Sequence, residues 1–200
     1  MSKKRMPTET QVWAVREVIK SRLPYADFCR EAEPLGWDWY WSAHMELWQL
    51  CDEYGWSMPD AAALLGILSP RVSVDRNWKY LHHFVEHGEL HPWVIPSVRV
   101  GANRLLPHLG MGHDLPTLER LAGSPRQVKV WPFASNILNA GLDDRVTVDT
   151  WVHKFFGLPP KLKAPTRRAI QVGVSCEAVD RGFTPPQLQA ALWTVQRGRV

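Results

Sequence analysis

The amino-acid sequence predicts an all-α protein, and three observations carry that prediction. Helix start and stop signals follow one another along the chain. Apolar residues recur between them at three- and four-residue spacing, and strand signals are few. Thr8 and Gln11 form a capping-box pattern, and Val12, Val15, Val18 and Ile19 then share one helical face. A second helix is predicted from about Asp38 to Tyr54, with Trp41, Met45, Trp48 and Cys51 inward and Gly55 ending it. Ser57 caps a third, with Pro59 and Asp60 in its first turn. Its body, Ala61 to Leu68, is apolar on every side, as a helix at the centre of a bundle must be.

Pro70 pushes Ser69 out of the helical region and closes that helix. Ser73 caps the next, which turns Trp78, Leu81 and Val85 inward and stops at Gly88. Residues 89–97, with Pro92 and Pro96, read as an irregular connection. Short helices are predicted near 98–106 and 115–122, and another from about Val130 to Leu138 with Val130, Phe133 and Ile137 on one face. Val146, Thr147 and Val148 read as briefly extended, after which Asp149 opens a helix through Phe156. Beyond the proline-rich, basic link 158–165, two helices fill 166–181 and 185–197.

Composition narrows the class. With 45% apolar and 22% charged residues, the chain suits a globular fold and can bury a core without staples. Cys29, Cys51 and Cys176 form no C-x-x-C pair, so neither a disulfide framework nor a zinc or iron–sulfur site is expected, and a reducing compartment fits best. No apolar run follows the N-terminal bases and none reaches 18 residues, so the protein is expected to be cytoplasmic, neither exported nor membrane-spanning. The 11 tryptophans read first as a heavy aromatic core and second as surfaces for base stacking.

The net charge is +4, with bases gathered at Lys3, Lys4 and Arg5, at Lys161, Lys163, Arg167 and Arg168, and at Arg197 and Arg199. Such clusters neutralise phosphates and point toward nucleic acid. His83, His87 and His91 follow at four-residue intervals, but Gly88 should break the helix before His91 and no acidic third ligand is in sight. No metal and no cofactor is expected. Glu46, Asp52, Glu53 and Asp60 read as solvated or capping groups, and His153 as a surface or core residue. The sequence holds no phosphate loop and no G-x-S-x-G elbow.

The chemistry concentrates between Lys129 and Trp151. Asp149 suits a helix N-cap, and Pro132, tolerated only in a first turn, puts Lys129 at or just outside a helix N-terminus. The positive end of a helix disfavours the ammonium form of a lysine and holds a carboxylate ionised. A nucleophilic amine and an anion able to support a cationic sugar are what glycosidic cleavage asks for.

These residues resemble the helix-hairpin-helix DNA glycosylase superfamily, which includes endonuclease III and 8-oxoguanine DNA glycosylase. Lys129-Val130 followed at about twenty residues by Val146-Thr147-Val148-Asp149-Thr150-Trp151 is similar to its active-site stretch. Trp151 stands where the family has a histidine. Leu68-Ser69-Pro70-Arg71 with Ser73 and Asn77 resembles its L-S-x-Q…N segment, which reaches into DNA. The stretches 63–77, 129–137, 146–151 and 189–198 are also similar to uncharacterised phage-encoded members.

The resemblance implies a two-lobed helical bundle with a central lobe 58–145, a hairpin-like segment 121–138, and a second lobe made of 1–57 and 146–200. It implies a monomer acting on double-stranded DNA, with the target nucleotide flipped into a cleft. Lys129 would attack the sugar and Asp149 would stabilise the developing positive charge. Ser69, Arg71 and Asn77 would meet the DNA, with Arg71 filling the gap or holding the opposite strand. Gly123, Ser124 and Arg126 would serve as the phosphate-binding hairpin, joined by Lys161, Lys163, Arg167 and Arg168. The open alternatives are a DNA-binding relative without catalysis and a phage enzyme of base hypermodification.

Overall fold

The computed structural model describes residues 6–26, 36, 38–124, 129–159 and 161–198. Lys3, Lys4, Arg5, Cys29, Trp37, Arg126 and Arg199 lie outside the described residues. The fold is all-α, and no strand occurs among the described residues. The helices are α1 (Glu9–Arg22), α2 (Trp39–Tyr54), α3 (Met58–Leu68), α4 (Val74–His87), α5 (Pro96–Leu105), α6 (Leu115–Ala122), α7 (Val130–Leu138), α8 (Thr150–Phe155), α9 (Ala164–Asp180) and α10 (Pro185–Arg197). A turn of 3-10 helix, Leu106–His108, follows α5.

Local chemistry accounts for the helix ends. The Thr8–Gln11 capping box forms at α1, and a second joins Thr184 to Gln187 at α10. Ser57, Ser73 and Asp114 accept backbone N–H groups at the starts of α3, α4 and α6. Gly88 ends α4 with φ 73°, a conformation open to glycine at no steric cost.

Chain contacts divide the molecule into Trp41–Ala140 and a unit of Met1–Tyr40 with Gly141–Val200. Nearly all of α2 therefore belongs with 41–140, whereas the sequence reading grouped it with the terminal segments.

In 41–140 the central element is α3, buried from Asp60 to Leu68 and packed against α4, α5, α6 and α7. Its closest approach is to α7. A Cβ on Gly66 would lie 2.9 Å from both Ala134 Cβ and the Val130 carbonyl oxygen, so only glycine lets the two helices meet this closely. Asp60 is not solvated as expected. It is 2% exposed, and its Oδ2 accepts the Gly110 N–H at 3.0 Å, tying the loop after the 3-10 turn to α3. Burial, and secondarily the Asp60 charge, push the neighbouring Cys51 thiol up to about 11.

The terminal unit packs α1 on α9, α8 on α10, and α9 on α10. Its core joins Ile19 and Leu23 to Val146, Val148, Val152, Phe155, Ile170, Val174, Leu188 and Leu192. Val146 to Val148 are buried without forming a helix or a strand. Glu177, 3% exposed, accepts hydrogen bonds from Arg16 and Arg181, and Arg181 also donates to the Leu23 carbonyl. A buried charge is tolerable only when paired in this way.

Tyr40, Tyr80, Phe84, Phe133 and Phe155 are buried as an aromatic core requires, but few of the described tryptophans are. Of the described tryptophans only Trp78 and Trp131 are buried, whereas Trp13, Trp41, Trp48 and Trp93 are exposed. On α2 the inward stripe is Ala43, Leu47, Leu50 and Cys51, and the Trp41–Met45–Trp48 stripe faces out. Both stripes have helical spacing. The one with small and aliphatic side chains allows close packing and buries no indole N–H. On α4 the buried set is Asn77, Trp78, Tyr80, Leu81 and Phe84, with Val85 only half-buried.

Candidate functional site

Lys129 occupies the N-cap position of α7, with φ −107° and ψ −21°, and its carbonyl accepts the Phe133 N–H at 3.1 Å. Pro132 is the third helical residue, where the missing N–H costs nothing. The lysine's backbone is set by the packing beneath it, because Val130 and Ala134 are the residues that meet Gly66 of α3. Upstream, a Cβ on Gly123 would sit 2.1 Å from the Glu119 carbonyl oxygen, so glycine is required there sterically. Gly123 and Ser124 are half-buried, and the stretch 125–128, with Arg126, lies outside the described residues.

The turn between α3 and α4 carries the next group. Ser69 Oγ donates to the Gly66 carbonyl at 2.8 Å, so this hydroxyl finishes α3. Arg71 is exposed and holds φ 65°, a left-handed conformation that costs an L-residue about 1–2 kcal/mol. Asn77 corrects the sequence reading. It is 3% exposed, its Nδ2 donates to the Leu65 carbonyl at 3.0 Å, and it joins α4 to α3 instead of facing a ligand. The cause is the helical register, which puts Asn77 beside the buried Trp78 and Leu81.

Asp149 belongs to the terminal unit and caps α8. Its Oδ1 accepts the N–H groups of Trp151 and Val152, both at 3.0 Å, and the indole N–H of Trp193 at 2.9 Å. Oδ2 accepts no hydrogen bond among the described residues. One oxygen is thus fully engaged in positioning the start of α8 and the Trp193 ring. The Trp193 ring meets Trp39 edge-on at 5.5 Å and lies 6.1 Å from Tyr40. Tyr40 in turn donates to Gln189 Oε1 at 2.7 Å. The carboxylate is therefore anchored through α10.

Lys161 and Lys163 are exposed at the start of α9, and Lys163 caps that helix with no side-chain bond. Arg167 donates to the Leu162 carbonyl and Arg168 reaches the Met6 sulfur. Cations at a helix N-terminus oppose the helix dipole, and an anion relieves that conflict. The basic surplus lies in this unit, which holds sixteen Lys and Arg against eleven Asp and Glu, whereas 41–140 holds eight against nine.

The sequence singled out Arg197 only as part of a basic cluster and did not place it, Trp193 or Lys154 around Asp149 and Trp151. Lys154 Nζ lies 4.1 Å and the Arg197 guanidinium 5.6 Å from the Trp151 ring centroid. A signal existed, since Trp193 and Arg197 stand four residues apart on one face of α10.

The three histidines do converge. The His83 ring lies 4.6 Å from that of His87 and 4.8 Å from that of His91, although His91 is beyond the end of α4. His91 Nδ1 accepts the Trp93 N–H at 3.1 Å, which leaves its proton on Nε2. Among the described residues no group has a metal-holding arrangement. Nor is any helix among them long and apolar enough to cross a membrane.

Residues 8–200 match the family described as "Family of unknown function (DUF7178)", and the chain belongs to that family. No curated protein and no solved structure matches the chain.

Proposed function

We propose that this DUF7178 protein is a DNA N-glycosylase with associated lyase chemistry. The observation that carries the reading is the state of Asp149. Its Oδ1 is held by three N–H donors, and its Oδ2 is left to face the charge that develops on a sugar as the glycosidic bond breaks. The spacing of Lys129 to the V-T-V-D segment, and the resemblance built on it, support the same reading. So does the basic surplus of the unit that contains Asp149.

In the reaction, the nucleotide leaves the stack and the bond between C1′ and the base nitrogen breaks. The departing base takes that electron pair and then a proton. The neutral Lys129 amine forms the new bond to C1′ and loses one proton to water. The C1′–O4′ pair then goes to O4′, which takes a proton as the sugar ring opens to an imine. Loss of a C2′ proton to water forms the C2′=C3′ bond as the 3′ phosphate leaves with the C3′–O pair.

Borohydride reduction traps the imine. The expected result is a covalent adduct, on a duplex from a panel of damaged and modified bases, that disappears in Lys129→Ala. A non-catalytic DNA-binding role is favoured by one observation, the use of Asp149 Oδ1 as a structural cap. It gains if no duplex is trapped while Lys129→Ala and Asp149→Asn retain salt-sensitive binding.

A further inference from the structure

Trp151 is the second residue of α8, and Lys154 follows one turn later. Arg197 closes α10, one turn beyond Trp193. Two rungs therefore join these helices. One is the hydrogen bond from Trp193 to Asp149, and the other sets Arg197 against the Trp151 ring that also carries Lys154. Both cations are exposed and neither has an ion-pair partner among the described residues.

Each cation taken singly has a local explanation. It stands in the last turn of its helix, where the negative end of the dipole holds it. The dipole does not explain why cations from two helices are both held against one indole, at 4.1 and 5.6 Å from its centroid. The ring attracts each by roughly 0.5–1 kcal/mol at an exposed site, but it neutralises neither charge. A bound anion supplies that neutralisation, and a phosphate is the anion that such cations hold well.

We propose that Trp151, Lys154 and Arg197 form a clamp for a phosphodiester of a DNA strand, beside the carboxylate of Asp149. The clamp rests on the DNA reading above and assigns it a strand contact. The indole carries both charges against its ring. The short link from Trp151 to Asp149 then ties the grip on the backbone to the carboxylate.

Duplex and single-stranded DNA carrying fluorescein are titrated with protein across a range of salt concentrations. The double variant Lys154→Gln, Arg197→Gln is expected to lower the slope of log K against log salt by about one, because losing the single clamped phosphate removes roughly 0.9. Lys154→Arg with Arg197→Lys retains the charges and should retain the slope. A purely structural role would shift the thermal midpoint and leave the slope alone. Where the double variant does not fold, each single variant should lower the slope by part of that amount. Inorganic phosphate, which offers the same oxygens, should displace the DNA better than chloride at equal ionic strength, and less so from the double variant.

An unchanged slope, or wild-type protein that binds no DNA, would overturn the clamp. Borohydride trapping separates the two readings. Trapping with an unchanged slope removes the clamp alone, and a lowered slope without trapping removes the glycosylase alone.

Discussion

The Trp193 indole N–H donates to Asp149 Oδ1 at 2.9 Å, on the same oxygen that caps α8. The carboxylate is thus structural, and substitution can separate that role from the catalytic one proposed for it. Asp149→Ala removes the cap at a cost of about 1–2 kcal/mol. It also strands the indole N–H, which adds roughly 1 kcal/mol or more. Asp149→Asn keeps an oxygen acceptor and should stay within about 1 kcal/mol of wild type while losing trapping. Urea unfolding beside the trapping assay checks both.

Gly66 should tolerate no side chain. Alanine gains about 1 kcal/mol in helix propensity. Its Cβ would meet Ala134 and the Val130 carbonyl at 2.9 Å, and overpacking of this kind costs about 1–3 kcal/mol. Gly66→Ala should lower the urea midpoint, and an equal or higher midpoint would mean that α3 and α7 separate freely.

Arg71 holds an unfavourable backbone at an exposed turn. Arg71→Gly should raise stability by up to about 1 kcal/mol, less what glycine's freedom in the unfolded chain takes back. If the arginine serves DNA, the same variant should bind DNA more weakly. A gain in stability with unchanged affinity would leave the strain without a functional explanation.

His91 should make the protein acid-sensitive. Burial, then the charges of His83 and Arg99, hold its imidazole below the ordinary 6.5. A depressed histidine stabilises the fold above its unfolded value, and that contribution is lost as pH falls through the folded value. Protonation also removes Nδ1 as acceptor for the Trp93 N–H, in a turn held by Tyr80 on the Trp93 carbonyl and Arg99 on the His91 carbonyl. Urea midpoints taken from about pH 7 to about pH 5 should fall more steeply for wild type than for His91→Gln.

The helices and their ends were legible because the signals are local. Thr8, Ser57, Ser73 and Asp149 cap within three residues of themselves, and Gly88 needs only its own φ. The N-cap preference of Asp149 and the first-turn place of Pro132 are equally local, and so they located Lys129 at the start of α7 and Asp149 at the start of α8. Such signals could not tell that Asn77 is buried, that Asp60 is spent on Gly110, or which stripe of α2 turns inward.

By itself the sequence determined the all-α class, the order of the helices and the placement of both candidate catalytic residues at helix starts. Those properties follow from hydrogen bonds and periodicity within a few residues. Tertiary structure alone decided that Trp193 grips Asp149 from forty-four residues away, that Lys154 and Arg197 share the Trp151 ring, and that most of the tryptophans are left unburied. Such pairings depend on which faces meet when the helices pack, and packing is chosen by the fit of whole surfaces, which no short stretch of sequence records.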